Sequence, residues 1–223
     1  MDNPGVPPWI VVNLEMNDCL VSWPGRLLEV EALAPETEQE AELEAAANAE
    51  HHGRYDRVTR VRILREVGTG GLFGPSGDAV VEVINRAAGL TPEGAQALAN
   101  HLSPDADAAY SRVWRRWDEE TASGDPNVPV DTNRSAGSPI NWGLSVISDL
   151  VTRAAASNGA ARYITEGDPD DDPPHEDDVW LVCDAPWDKA CDALLGAALA
   201  LGAPELSGSD ADVLLVPWRS TGF

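Results

Sequence analysis

The spacing of apolar positions divides the chain into a strand-like first third, a helical middle and a mixed last third. Trp9 to Glu15 is a β-branched apolar run, and Asn17-Asp18 supplies a turn before Cys19-Leu20-Val21-Ser22. Pro24-Gly25 makes a second turn, after which Arg26 to Leu33 alternates Leu28, Val30 and Ala32 with Leu27, Glu29 and Glu31. Val58 to Val67 is a fourth candidate strand, with Val61 and Ile63 set against Arg60 and Arg62. Short turns between such runs imply antiparallel pairing.

The middle is punctuated for helices. Thr91-Pro92, Ser103-Pro104 and Ser138-Pro139 each put a hydroxyl N-cap before a proline at the first helical position. A helix from Pro104 would align Ala106, Tyr110, Val113, Trp114 and Trp117; one from Pro139 would align Ile140, Leu144, Ile147, Val151 and Ala154 and stop at Asn158-Gly159. Ser76 to Ala88 carries Val80, Val83, Ile84 and Ala87, and residues 121–137 read as a polar loop. In the last third, Ala161–Thr165 and Val179–Cys183 read as strands around an acidic loop, and Pro186–Leu201 as a helix. Asp210 to Trp218 fits a short helix or a final strand equally well.

The expected fold is therefore α+β in a single domain spanning 1–223. A small, mainly N-terminal antiparallel sheet, with C-terminal strands available to complete it, is packed by four or five helices. Two acidic segments interrupt it, an insert at 34–53 and a loop at 166–178, and both are expected to be flexible. From Glu29 to Glu50 there are eight acids and no base, and the apolar stripe is weak, so the segment is a solvated helix or a loop. Arg54, Arg57, Arg60, Arg62 and Arg65 follow, which points to self-neutralisation across the connection.

Charge changes the functional picture more than composition does. The chain of 223 residues carries 38 acids against 15 bases, for a net charge of −23. Such a surface repels nucleic acid and anionic membranes and favours basic partners. Cys19, Cys183 and Cys191 are too few and too scattered for a disulfide scaffold, and the first residues lack a signal-peptide pattern. A cytoplasmic location, no membrane association and no cofactor are the expectations.

Candidate chemistry is sparse. Asp168, Asp170 and Asp172 match positions 1, 3 and 5 of a calcium loop, but Pro173 stands where glycine is needed and Val179 where a glutamate should close the cage. They are left as candidate ligands of an irregular divalent site, against a loop kept solvated by like-charge repulsion. The glycine-rich run Gly68 to Gly77 lacks the Gly-Lys-Ser/Thr ending of a phosphate loop, and an ordinary connection capped by Ser76 is expected. There is no nucleophile elbow, no Cys-x-x-Cys and no zinc spacing among the four histidines; His175 beside Glu176 could act as an acid–base pair. Arg112, Arg115 and Arg116 are expected to pair with Glu119 and Glu120 one turn on.

Eight tryptophans against two phenylalanines mark cores or contact surfaces. Trp117 and Trp187 fall on core faces, whereas Trp23 and Trp142 do not. The favoured reading is a non-enzymatic acidic regulator that binds a basic protein, in the manner of an immunity protein, antitoxin or DNA mimic. Trp23, Trp142, Glu38, Glu42, Asp170, Asp171 and Asp172 are its expected contact residues. The alternatives are a small-molecule binder or enzyme with a Trp-lined pocket bearing Asp or His groups, and a structural or oligomerisation module.

Overall fold

In the computed structural model, which describes residues 9–14, 19, 23–49, 55–74, 76–122, 139–165 and 179–222, the fold is α+β. The expected sheet is divided into three separate two-stranded antiparallel pairs. β1 (Ile10–Asn13) pairs with β3 (Tyr55–Val58), and β2 (Leu27–Ala32) with β4 (Val61–Val67). The run expected as one strand from Val58 to Val67 is a strand only from Val61; Val58 instead ends β3, a strand that lies mostly upstream of the expected one, and Thr59-Arg60 separates the two. The C-terminal strands complete neither pair. β5 (Ala161–Thr165) and β6 (Val179–Cys183) form a hairpin of their own around the acidic loop.

Between β2 and β3 the acidic insert contains α1 (Glu38–Asn48), a helix with no buried residue. The body is built from five longer helices, α2 (Gly77–Ala88), α3 (Pro92–His101), α4 (Ala106–Ala122), α5 (Pro139–Ser157) and α6 (Ala185–Gly202). Three short helices close the chain, α7 (Pro204–Ser207), α8 (Asp210–Leu214) and α9 (Val216–Ser220), so the segment from Asp210 is helical and not a strand.

The punctuation works where its side chains are placed. Thr91 Oγ1 accepts from the Gly94 amide at 3.2 Å and starts α3 at Pro92. At Ser103-Pro104 the hydroxyl accepts from Asp105 at 3.2 Å, and α4 begins only at Ala106, because Pro104 and Asp105 complete a turn first. Ser138 lies outside the described residues. Gly159, at φ 70°, takes the left-handed position that lets the Ala160 amide reach back to the Ala155 carbonyl at 2.9 Å, ending α5.

The core belongs to the helices. Val80, Val83, Ile84 and Ala87 from α2 meet Ile147 and Val151 from α5 and Leu194, Ala197 and Ala198 from α6, all buried. Each fully buried branched side chain contributes roughly 1.5–3 kcal/mol. Alanines and Gly196 along α6 let neighbouring helices approach closely: a Cβ on Gly196 would meet Leu214 at 3.1 Å. The tryptophans feed the same core. Trp117 and Trp187 are buried, and Trp23, Trp114 and Trp218 are half-buried against the cluster.

The glycine-rich run is a packing device. Thr69–Phe73 forms a 3-10 turn, and the Asp78 carboxylate sits where a side chain on Gly70 would begin, while a side chain on Gly77 would collide with the Gly70 carbonyl. An acid already fills the space an anion would need. Ser76 makes no capping hydrogen bond, contrary to expectation, because α2 enters directly from this crowded turn.

Candidate functional site: an acidic helix on arginine-bearing strands

Eleven residues rich in Ala and Glu favour helix, yet an isolated helix this short is marginal in water. Polar contacts hold α1 in place. Thr37 Oγ1 accepts from the Glu40 amide at 3.1 Å, and Glu40 Oε2 accepts in return from the Glu36 amide at 2.8 Å, a capping box displaced by one residue. One turn later Glu44 Oε1 accepts from both the amide (2.7 Å) and the hydroxyl (2.6 Å) of Thr59. At the C-terminal end, Asn48 Nδ2 donates to the Arg57 carbonyl at 2.9 Å and its Oδ1 accepts from the Arg57 amide at 2.8 Å. The Asn48 amide thereby pairs with β3 much as a neighbouring strand would.

Glu40, Glu44 and Asn48 recur every four residues and make one face of α1, turned to the β3 side. Glu38 and Glu42 lie about 200° around the helix, since each residue turns it by ~100°. Both are exposed, and neither makes an ion pair among the described residues. A helix built this way displays negative charge and contributes no core.

The β2–β4 pair neutralises its own charges. Arg65 Nε donates to Glu29 at 2.6 Å and Arg62 Nε to Glu31 at 2.8 Å, each across the strand pair. Arg26 pairs with Glu66, and Arg60 with Glu36 just before α1. The expected self-neutralisation is present for Arg60, Arg62 and Arg65, whereas Arg57 donates to the Ala47 carbonyl and Arg54 lies outside the described residues; with Arg26–Glu66 these pairs consume Glu29, Glu31, Glu36 and Glu66 and leave Glu38 and Glu42 outward. The β2–β4 register skips at Leu64, a bulge that leaves Ile63 (60%) and Leu64 (52%) exposed side by side.

Other expected contact residues are distributed differently. Trp23 packs against the helical core, so its bulk is structural. Trp142 lies on α5, with its side chain outside the described residues. Asp168, Asp170, Asp171, Asp172 and the His175-Glu176 pair also lie outside them. Among the described residues no three His, Cys, Asp or Glu side chains are grouped to hold a metal ion, and no helix is long and apolar enough to cross a membrane.

The α4 arginines correct an expectation. Arg112 and Arg116 do not turn to their own helix but converge on Asp210 of α8, 98 and 94 residues away. Arg112 Nη2 donates at 2.7 Å, and Arg116 donates to the other carboxylate oxygen. The Arg112 hydrogen bond, helped by Arg116 against partial burial, holds the Asp210 carboxyl below its usual range. A buried acid with two cations outcompetes exposed i,i+4 partners, whose pairs are worth a few tenths of a kcal/mol.

Thiol chemistry is muted. Burial pushes the Cys191 thiol up to about 12, against a hydrogen bond from Ser148, and raises Cys183 as well. Both stay protonated near neutral pH, and a protonated thiol is a poor nucleophile.

Sequence reading missed a cavity of about 270 Å³ between α4 and α6, whose wall includes Asp107, Tyr110 and Asp192. No Trp or His lines it. The available signal was Asp107 and Tyr110 one turn apart on α4, which reads equally well as solvated surface. Compared with protein families, curated proteins and solved structures, the chain matches none.

Proposed function

We propose that the chain is an acidic interaction protein that captures a basic protein partner, with the outward face of α1 as a principal contact. The carrying observation is the division of α1 into a tethering face and a display face. Glu40, Glu44 and Asn48 are used up in holding the helix, and Glu38 and Glu42 are presented to solvent on a rigid scaffold. Charge held in place by a folded support steers a cationic partner with less ordering cost than the same charge on a free chain. The net charge of −23 supports the same polarity over long range. In this reading Asp170, Asp171, Asp172 and Trp142 extend the contact, and nucleic acid is not a direct ligand.

Salt-graded capture from native lysate, run beside the double reversal Glu38→Lys/Glu42→Lys, tests this. A partner retained at low salt, released at moderate salt and lost by the reversed protein is the expected result, because steering charges are screened within about 8–10 Å. Capture indifferent to both salt and reversal would overturn it. The exposed Ile63 and Leu64 favour a second reading, self-association through the β2–β4 strand pair. Light scattering checks it: a concentration-independent monomer removes that reading.

A further inference from the structure

The cavity between α4 and α6 has an uneven chemical lining. Its floor is apolar and buried, formed by Ala193 and Gly196 of α6 with Leu214 of α8. Its rim is acidic, with Asp107 from α4 and Asp192 from α6 both reaching solvent. Tyr110 joins the two, one turn beyond Asp107. Its ring stacks on Trp114 with centroids 6.3 Å apart and planes 6° from parallel, and Trp114 in turn contacts Trp117 at 4.9 Å. The aromatic wall is therefore fixed from behind by the core.

Neither Asp107 nor Asp192 has a cationic partner within ion-pair distance among the described residues. That contrasts with Asp210, where two arginines meet one acid less than a helix away. Burial, then the charges of Asp188 and Asp107, push the Asp192 carboxyl above its ordinary value, as expected where a carboxylate waits without a counter-charge. Burial likewise pushes the Tyr110 phenol up to about 12, so it stays neutral and can donate a hydrogen bond. An apolar floor, an aromatic wall and an anionic rim match a molecule with a hydrocarbon body and a cationic head. The cavity, at about 270 Å³, lies at the small end of ligand sites.

We propose that this cavity binds a small alkylammonium ion, its chain on the floor formed by Gly196 and Leu214 and its ammonium between Asp107 and Asp192. The site is separate from α1 and does not depend on the partner-capture reading. The same head group occurs on free amines and on lysine side chains, and the probes below separate these sources.

Calorimetric titration of the full chain with n-pentylammonium, n-pentanol and pentanoate tests the chemistry at one ionic strength. Pentylammonium should bind at least tenfold more tightly than pentanol, and pentanoate should not bind. The double variant Asp107→Asn/Asp192→Asn keeps side-chain volume and should reduce the ammonium affinity at least tenfold while leaving pentanol unchanged. Should these substitutions unfold the chain, Ser111→Met, which narrows the mouth from an exposed position, provides the second measurement and should weaken both ligands. Lysine blocked at its amino and carboxyl groups marks the side-chain source: binding equal to pentylammonium assigns the site to a lysine of a protein, and weaker binding assigns it to a free amine. Equal affinity for pentanol and pentylammonium, ammonium binding unaffected by the double variant, or no heat from any probe would overturn the proposal.

Discussion

The two halves of this molecule are stabilised by opposite means. Before residue 68, two strand pairs and α1 are tied by cross-strand ion pairs and by side-chain hydrogen bonds, and Val58 is the one buried apolar residue among those described there. After it, helices interlock around Val80, Ile84, Leu98, Ile147 and Leu194, each of them no more than 1% exposed. Exposed ion pairs contribute about 0–1 kcal/mol each, whereas one buried leucine contributes several times that. The lesson is one of hierarchy: the helical body sets global stability, and the N-terminal module is a display mounted on it through Trp23 and Leu27.

The largest expected effect strikes the body. Leu194 is fully buried midway along α6, where α2, α3 and α5 all meet that helix. Leu194→Ala removes most of a side chain from a close-packed site and should cost about 2–5 kcal/mol. Urea unfolding followed by circular dichroism reads it as a shift of the whole transition. A loss below 1 kcal/mol would mean that the body is less tightly packed than the comparison requires.

Next in size is the clasp between α4 and α8. Asp210→Ala removes an acid whose side chain is 9% exposed and leaves Arg112 and Arg116 without it, although both guanidiniums still reach water. Charged hydrogen bonds are worth about 1.5–3 kcal/mol, so a loss of about 2 kcal/mol at neutral pH is expected. The Asp210 carboxyl is depressed in the folded state. Its contribution is therefore complete above the unfolded aspartate value of about 4 and disappears as pH falls through the lower folded value. Urea midpoints of parent and variant should converge in acid, and a gap that persists there would assign the effect to packing.

Much of the helical body was legible because its signals are local and redundant. Val80, Val83, Ile84 and Ala87 repeat at helical spacing, and Thr91-Pro92 both caps and starts α3. In the first third β1, β2 and β4 were legible as segments, β3 was not, the expected strand Cys19–Ser22 lies largely outside the described residues, and the topology was not legible. Which strand pairs with which depends on the break at Thr59-Arg60, and alternation on one strand says nothing of its partner. The Arg112–Asp210 clasp was invisible for a related reason: a short-range partner can always be found in a charged helix, and only packing shows that a distant acid is better desolvated and better placed. Of the candidate site, Glu38 and Glu42 were readable as charge, but the tethering by Glu44 and Asn48 was not, since their partners are the amide and hydroxyl of Thr59 and the backbone of Arg57, brought near only by the fold.

The smallest expected effect is the sharpest test of the comparison, because it should be felt in one half alone. Asn48 holds α1 to β3 through two hydrogen bonds to Arg57, at 2.9 and 2.8 Å, and no residue of the helix is fully buried. Asn48→Ala removes both. Each is worth about 0.5–1.5 kcal/mol net, less where water competes, so α1 should open more readily by about 1 kcal/mol. Eleven residues are too few to stay helical without a support, so release and fraying should occur together. Hydrogen exchange should then show several-fold faster exchange along α1 and at the Arg57 and Thr59 amides, with α2 and α6 unchanged and the urea midpoint within error of the parent. High salt should reproduce little of this, because Asn48 is neutral, which separates hydrogen-bonded tethering from the ion pairs of β2 and β4. If the global midpoint fell with α1, the display helix would be part of the cooperative core, and the division between the two halves would fail.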